Sequence, residues 1–98
     1  MVKQIHCDDP RLEHQIQELL NLHMGPMDEL VDKLEMRVAQ TDEGTEEPLY
    51  HCSVVVTDPH TGKLAVEERH ADISLTVNRA LARIVRGLMR RQLNRYSF

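Results

Sequence analysis

An α+β domain of order β-α-β-β-β-α, with two helices packed on one face of a four-stranded sheet, is predicted by three features of this 98-residue sequence. Apolar residues recur with a period near 3.6 over 12–23 and 73–88, and with a period of two over 34–38, 50–56 and 64–68. Proline, glycine and acidic clusters separate these stretches. The length supports a single domain, 1–98, that removes roughly two-thirds of its unfolded surface from water. With 41% hydrophobic and 29% charged residues, the composition excludes disordered, collagenous and disulfide-rich chains.

Val2 to Cys7 is short and mixed and reads as a strand with Ile5 and Cys7 on one face. Asp9 can accept from the orphan N–H groups of a helix that begins at Pro10, where a missing proline N–H costs nothing. Leu12, Ile16, Leu19, Leu20 and His23 form its stripe. Gly25-Pro26 stops it, the glycine being able to take the left-handed conformation that ends many helices. Met27, Leu30 and Val31 then suggest a further helical turn or a loop packed on the core.

From Lys33 the period changes. Leu34, Met36 and Val38 alternate with Glu35, Arg37 and Ala39, a strand with one wet face. Thr41 to Pro48 is acidic and reads as a solvated loop. Tyr50, Cys52, Val54 and Val56 make a third strand, rich in β-branched residues. Asp58-Pro59-His60-Thr61-Gly62 is a turn, because Pro59 presets φ and Gly62 allows a positive one. The returning strand, Leu64 to His70, puts Leu64, Val66 and Glu68 on one face. Asp72 stands where an N-cap would, and Ile73, Val77, Leu81, Ile84 and Leu88 mark a final helix running to about Asn94.

The net charge of −4 conceals a division. Residues 1–71 hold six basic and fifteen acidic residues, a balance of −9, whereas residues 72–98 hold six arginines and one acid, a balance of +5. Arg79, Arg83, Arg86 and Arg90 are spaced four, three and four, so they share one helix face opposite the apolar stripe, and Arg91 and Arg95 extend the patch. No acid within this helix can pair with them at i±4. A row of arginines without a single lysine suits bidentate recognition of phosphate. Pairing with the acidic part of the chain and a plain solvated face are the other readings.

Other chemistries find little support. His6-Cys7 and His51-Cys52 lie on strands, where neighbours point to opposite faces, so no metal site is expected; both cysteines read as small buried hydrophobes, leaving the histidines exposed. The four glycines form no phosphate-cradling loop and no Gly-x-Ser-x-Gly elbow exists, so no enzyme, cofactor or small-molecule substrate is expected. With three aromatic residues, Tyr50, Tyr96 and Phe98, a base-stacking platform is disfavoured. No apolar run reaches about 18 residues and the N-terminus has no leader-like segment, so a cytoplasmic protein with reduced thiols and no membrane contact is expected. Gly87 costs its helix roughly 1 kcal/mol against alanine and could admit the sheet, the first helix or a phosphate.

The element order and the run Glu68-Arg69-His70-Ala71-Asp72-Ile73-Ser74-Leu75-Thr76-Val77-Asn78 resemble the ribosome hibernation-promoting factor and ribosome-associated translation inhibitor family. In that family the last strand enters the final helix through an Asp-Met-Tyr-Ala-Ala-Ile-Asp-like stretch. Asp72, Ile73, Val77 and Asn78 match its first Asp, Met, Ile and second Asp, while Ser74, Leu75 and Thr76 depart from it. The resemblance implies a fold related to double-stranded-RNA-binding domains and a non-enzymatic role at the small ribosomal subunit, where family members stop translation in stasis. It assigns rRNA contact to Arg79, Arg83, Arg86, Arg90 and Arg91 by their place on the last helix. Typical members also carry basic residues on the first helix and the sheet, where this first helix offers Arg11, His14 and His23 against Glu13 and Glu18. The sequence at hand stops at Phe98, before the C-terminal dimerisation domain of the long family form, which predicts a short or divergent member. The alternative is a protein-interaction module without an RNA role, in which the acidic body of one chain meets the arginine face of another, as a homodimer or with a partner. Binding of duplex RNA away from the ribosome is a third reading.

Overall fold

The computed structural model describes residues 1–41, 48–59 and 62–96, with the side chains of 94–96 not described. Strand β1 (Val2–Cys7) leads into α1 (Pro10–Met24) and a 3-10 turn (Gly25–Met27). Strands β2 (Lys33–Thr41), β3 (Leu49–Asp58) and β4 (Gly62–His70) follow, and α2 (Ile73–Tyr96) closes the chain. The predicted β-α-β-β-β-α order is therefore present.

The sheet order is β1-β2-β3-β4, with β1 parallel to β2 and the remaining pairs antiparallel. A parallel neighbour needs a crossover, which α1 supplies, whereas β2 to β4 turn back directly. This register stacks the apolar positions into rows that run across the sheet. Ile5, Met36, Val54 and Val66 form one row, Cys7, Val38, Cys52 and Glu68 the next. Both helices cover that face: Ile16, Leu20 and Met24 from α1 and Val77, Ala80, Leu81, Ile84 and Leu88 from α2 are buried against it. Thr76, the one buried polar residue among those described, donates its hydroxyl to the Asp72 carbonyl at 2.7 Å and so buries no unmet donor.

Both predicted N-caps form. The Asp9 carboxylate accepts from the Arg11 N–H at 3.0 Å, and the Asp72 carboxylate from the Leu75 N–H at 3.0 Å. The Arg11 guanidinium, hydrogen-bonded to Asp9, holds that carboxyl below its ordinary pKa. At the hairpin, Gly62 takes the positive φ, +85°, that the turn reading requires.

Three expectations need correction. Gly25 is not left-handed: at φ −51° and ψ −50° it carries the chain on into the 3-10 turn, and Val31 beyond it is buried. Pro26 fits there because the first residues of a helical turn need no N–H partner. The final helix reaches Tyr96, two residues past the expected end. His51 is not exposed, its side chain keeping only 24% of its accessibility on the outer face of the sheet beside Glu67. The acidic stretch 42–47 lies outside the described residues.

Candidate nucleic-acid interface

At 100° per residue, Arg79, Arg83, Arg86 and Arg90 fall within about 60° of arc on α2, and Arg91 stands about 100° further round. Arg79, Arg83, Arg86 and Arg90 are exposed, while Arg91 is half-buried. The face opposes the buried stripe, as the spacing predicts.

The five candidate arginines nevertheless divide into two groups. Arg83 Nη1 donates to the Glu68 carboxylate at 2.8 Å and to the Glu67 carbonyl at 3.1 Å, and Arg91 Nη2 donates to the Lys63 carbonyl at 2.9 Å. Arg79, Arg86 and Arg90 form no hydrogen bond or ion pair with the described residues. Among the described residues the expectation of an unpaired row thus holds for Arg79, Arg86 and Arg90, while Arg83 follows the alternative reading, pairing with the acidic part of the chain. The signal was present in the sequence: Glu68 occupies a core-facing position of β4, where a carboxylate needs a cation. Its side chain keeps 19% of its accessibility and Arg83 keeps 49%, so the pair contributes at most about 1 kcal/mol.

These two contacts also align helix and strand. From Arg83 to Arg91 the helix advances eight residues, roughly 12 Å. Over the same interval the contacts on β4 step back from Glu67 to Lys63, four residues or roughly 13 Å. Helix α2 therefore runs antiparallel beside β4, which is an edge of the sheet. Between them lies a groove of about 420 Å³, walled by Leu64, Ala65 and Val66 on the strand and by Arg83, Arg86 and Arg90 on the helix. Gly87 forms part of its floor and answers the question its helix position raised: a Cβ there would stand 2.5 Å from a Leu64 methyl group, so the close neighbour is the sheet.

Elsewhere several surface charges have close partners of opposite sign, while Lys33 and Arg69 are exposed with no partner among the described residues. On α1, Arg11 pairs with Asp9 at 3.0 Å and His14 with Glu18 at 3.1 Å. On the outer face of the sheet, Arg37 pairs with Glu35 at 3.0 Å. Burial first, and the nearby Glu68 charge second, push the Cys52 thiol up to about 12, so it stays protonated as a core residue. Cys7 is only half-buried, its S–H donating to the Asp9 carbonyl at 3.3 Å. No group of three or more metal-ligating side chains occurs among the described residues. No described helix is long and apolar enough to cross a membrane.

No protein-family model and no curated protein matches this sequence. Solved structures do. A ribosomal subunit interface protein from Coxiella burnetii superposes with a TM-score of 0.75 at 12% identity, covering 95% of this chain and 99% of that one. The N-terminal domain of Thermus thermophilus Protein Y gives 0.63 at 22% identity, covering 92% and 98%. A four-stranded mixed sheet carrying two helices, in this order and over nearly the whole of each chain, is thus common to all three. The chain has the fold of these two proteins, in the element order that its resemblance to the hibernation-promoting family implies.

Proposed function

We infer that this protein binds the ribosome, on the small subunit, by placing the arginine face of α2 against rRNA phosphates, and that in doing so it holds ribosomes inactive in stasis. The observation that carries this reading is the un-neutralised set Arg79, Arg86 and Arg90 on a fold shared with a ribosomal subunit interface protein. Three guanidinium groups spread over about 16 Å of helix suit successive backbone phosphates, and their planar donors engage phosphate oxygens two at a time. Arg83, within the set, and Arg91, beside it, are already tied to β4, so they contribute positive potential and orientation more than new hydrogen bonds. The acidic body weakens attraction to RNA in any other orientation and gives the approach a direction. No catalytic step and no cofactor is invoked, and the site of action is the cytoplasm, where ribosomes are.

Sedimentation of a cell lysate through a gradient tests the proposal. The parent protein should travel with small subunits, and Arg79→Gln/Arg86→Gln/Arg90→Gln should remain at the top with an unchanged circular-dichroism spectrum. For purified subunits, three phosphate contacts predict a slope of log K against log salt of about −2 to −3. Co-sedimentation of the triple variant at the parent level would overturn the reading.

A further inference from the structure

The arginine face is not the only thing the groove presents, because its other wall is the open edge of a β-strand. Arg83 and Arg91 reach the carbonyls of Glu67 and Lys63, and in an antiparallel ladder residues of one parity turn both peptide groups to the same side. Ala65 lies midway and has that parity, so its N–H and C=O face the groove with no partner among the described residues. An adjacent donor and acceptor suit another peptide backbone. They do not suit a phosphate, whose oxygens the carbonyl would repel.

We propose that the β4–α2 groove docks an extended acidic peptide, which adds to β4 as a fifth strand through Ala65 while its carboxylates pair with Arg86 and Arg90. Strand addition beside a helix is an established mode of peptide recognition in which backbone bonds supply affinity and side chains supply selection. The spacing selects the sequence of the ligand: alternate side chains of a strand repeat every 6.7 Å or so, and Arg86 and Arg90 are separated by about 6 Å of helix rise. Because α2 runs antiparallel to β4, two acidic residues at i and i+2 of the added strand meet the two free arginines in turn. Arg83 and Arg91, which close the edge at either side of Ala65, confine the docking to a short segment and protect the rest of β4 from pairing with other chains. This inference does not rest on the RNA reading, with which it shares Arg86 and Arg90 as ligand contacts.

Fluorescence anisotropy with a labelled heptapeptide that alternates glutamate with valine tests it, beside the same peptide N-methylated along its backbone and a short RNA duplex. The unmodified peptide should bind, and the N-methylated one, equal in charge but without backbone donors, should bind at least about tenfold more weakly, the worth of one or two lost hydrogen bonds. The Ala65 amide should become protected from hydrogen exchange when the peptide is added. Ala65→Pro, acceptable on a strand edge whose N–H faces outward, should lose the peptide and keep the RNA. Equal binding of both peptides, no added protection at Ala65, or binding of the RNA duplex alone would each overturn the proposal, and co-sedimentation of Ala65→Pro with small subunits at the parent level would show the ribosome reading standing separately.

Discussion

Helices α1 and α2 lie on one face of the same sheet, bury the same kind of apolar stripe, and treat their charges in opposite ways. On α1 the one arginine has an acid close in the chain, Asp9 two residues before Arg11, and the His14 ring lies 3.1 Å from Glu18, four residues on. On α2 no acid is available within the helix; Arg83 and Arg91 are held by β4, and Arg79, Arg86 and Arg90 have no partner among the described residues. The lesson is that local pairing removes a surface from use, whereas charge that the helix cannot neutralise by itself is settled by tertiary neighbours or remains for a partner. The two edge strands show the same contrast. Side chains from α2 close the β4 edge at Lys63 and Glu67, while β1, the opposite edge, leaves Val2 60% exposed.

If the helices differ only on their outer faces, truncating their inner faces should cost alike. Ile16→Ala on α1 and Leu81→Ala on α2, both at fully buried positions, should each destabilise by about 2–5 kcal/mol in urea denaturation. The exposed Leu22 and Leu93, one on each helix, should tolerate alanine within about 0.5 kcal/mol. A large asymmetry between the inner pair would show that one helix is an accessory and not half of the core.

The N-caps sharpen the comparison at a smaller scale. Asp72→Ala should cost about 1 kcal/mol through the lost bond to the Leu75 N–H. Asp9→Ala should weaken α1 in the same sense, and its deficit should depend on pH. Because Arg11 lowers the folded-state pKa of Asp9, the stabilisation is complete above the ordinary carboxylate range near 4 and is lost as pH falls through the lowered value. The parent and the Asp9→Ala protein should therefore converge in stability in acid, as thermal melts at several pH values would show.

Arg83→Gln removes an ion pair that is half open to water, so its stability cost should stay below about 1 kcal/mol. Gly87→Ala should fall in the same range, since the helix gains about 1 kcal/mol and the Leu64 methyl must move aside. Smallest of all is the chemical contrast between the two thiols. With its pKa pushed up to about 12 and no exposure, Cys52 should resist alkylation at pH 8 in the native protein and react only on unfolding, as intact-mass measurement would report.

Elements with a clean period were readable before any tertiary information. The apolar stripe from Ile73 to Leu88, the alternation from Tyr50 to Val56 and the caps at Asp9 and Asp72 are local features, set by backbone geometry that repeats every 3.6 or two residues. Gly25 was misread because its conformational freedom permits a left-handed stop without requiring one. Among the candidate arginines, their common face was legible and their division was not. Whether Arg83 is free depends on Glu68, fifteen residues away in the chain and adjacent only once β4 lies under α2.

By itself, then, the sequence determined the order of elements, the helix face on which the arginines stand, and the segregation of −9 from +5 along the chain. Each of these follows from short-range periodicity and from counting. Only the tertiary structure decided that β4 is an edge, that Arg83 and Arg91 are spent on it, and that a groove opens between its peptide groups and Arg86 and Arg90. Strand order and helix placement are outcomes of non-local packing: the rows of Ile5, Met36, Val54 and Val66 must meet both helices at once, and no stretch of local sequence encodes which neighbour an edge will lack.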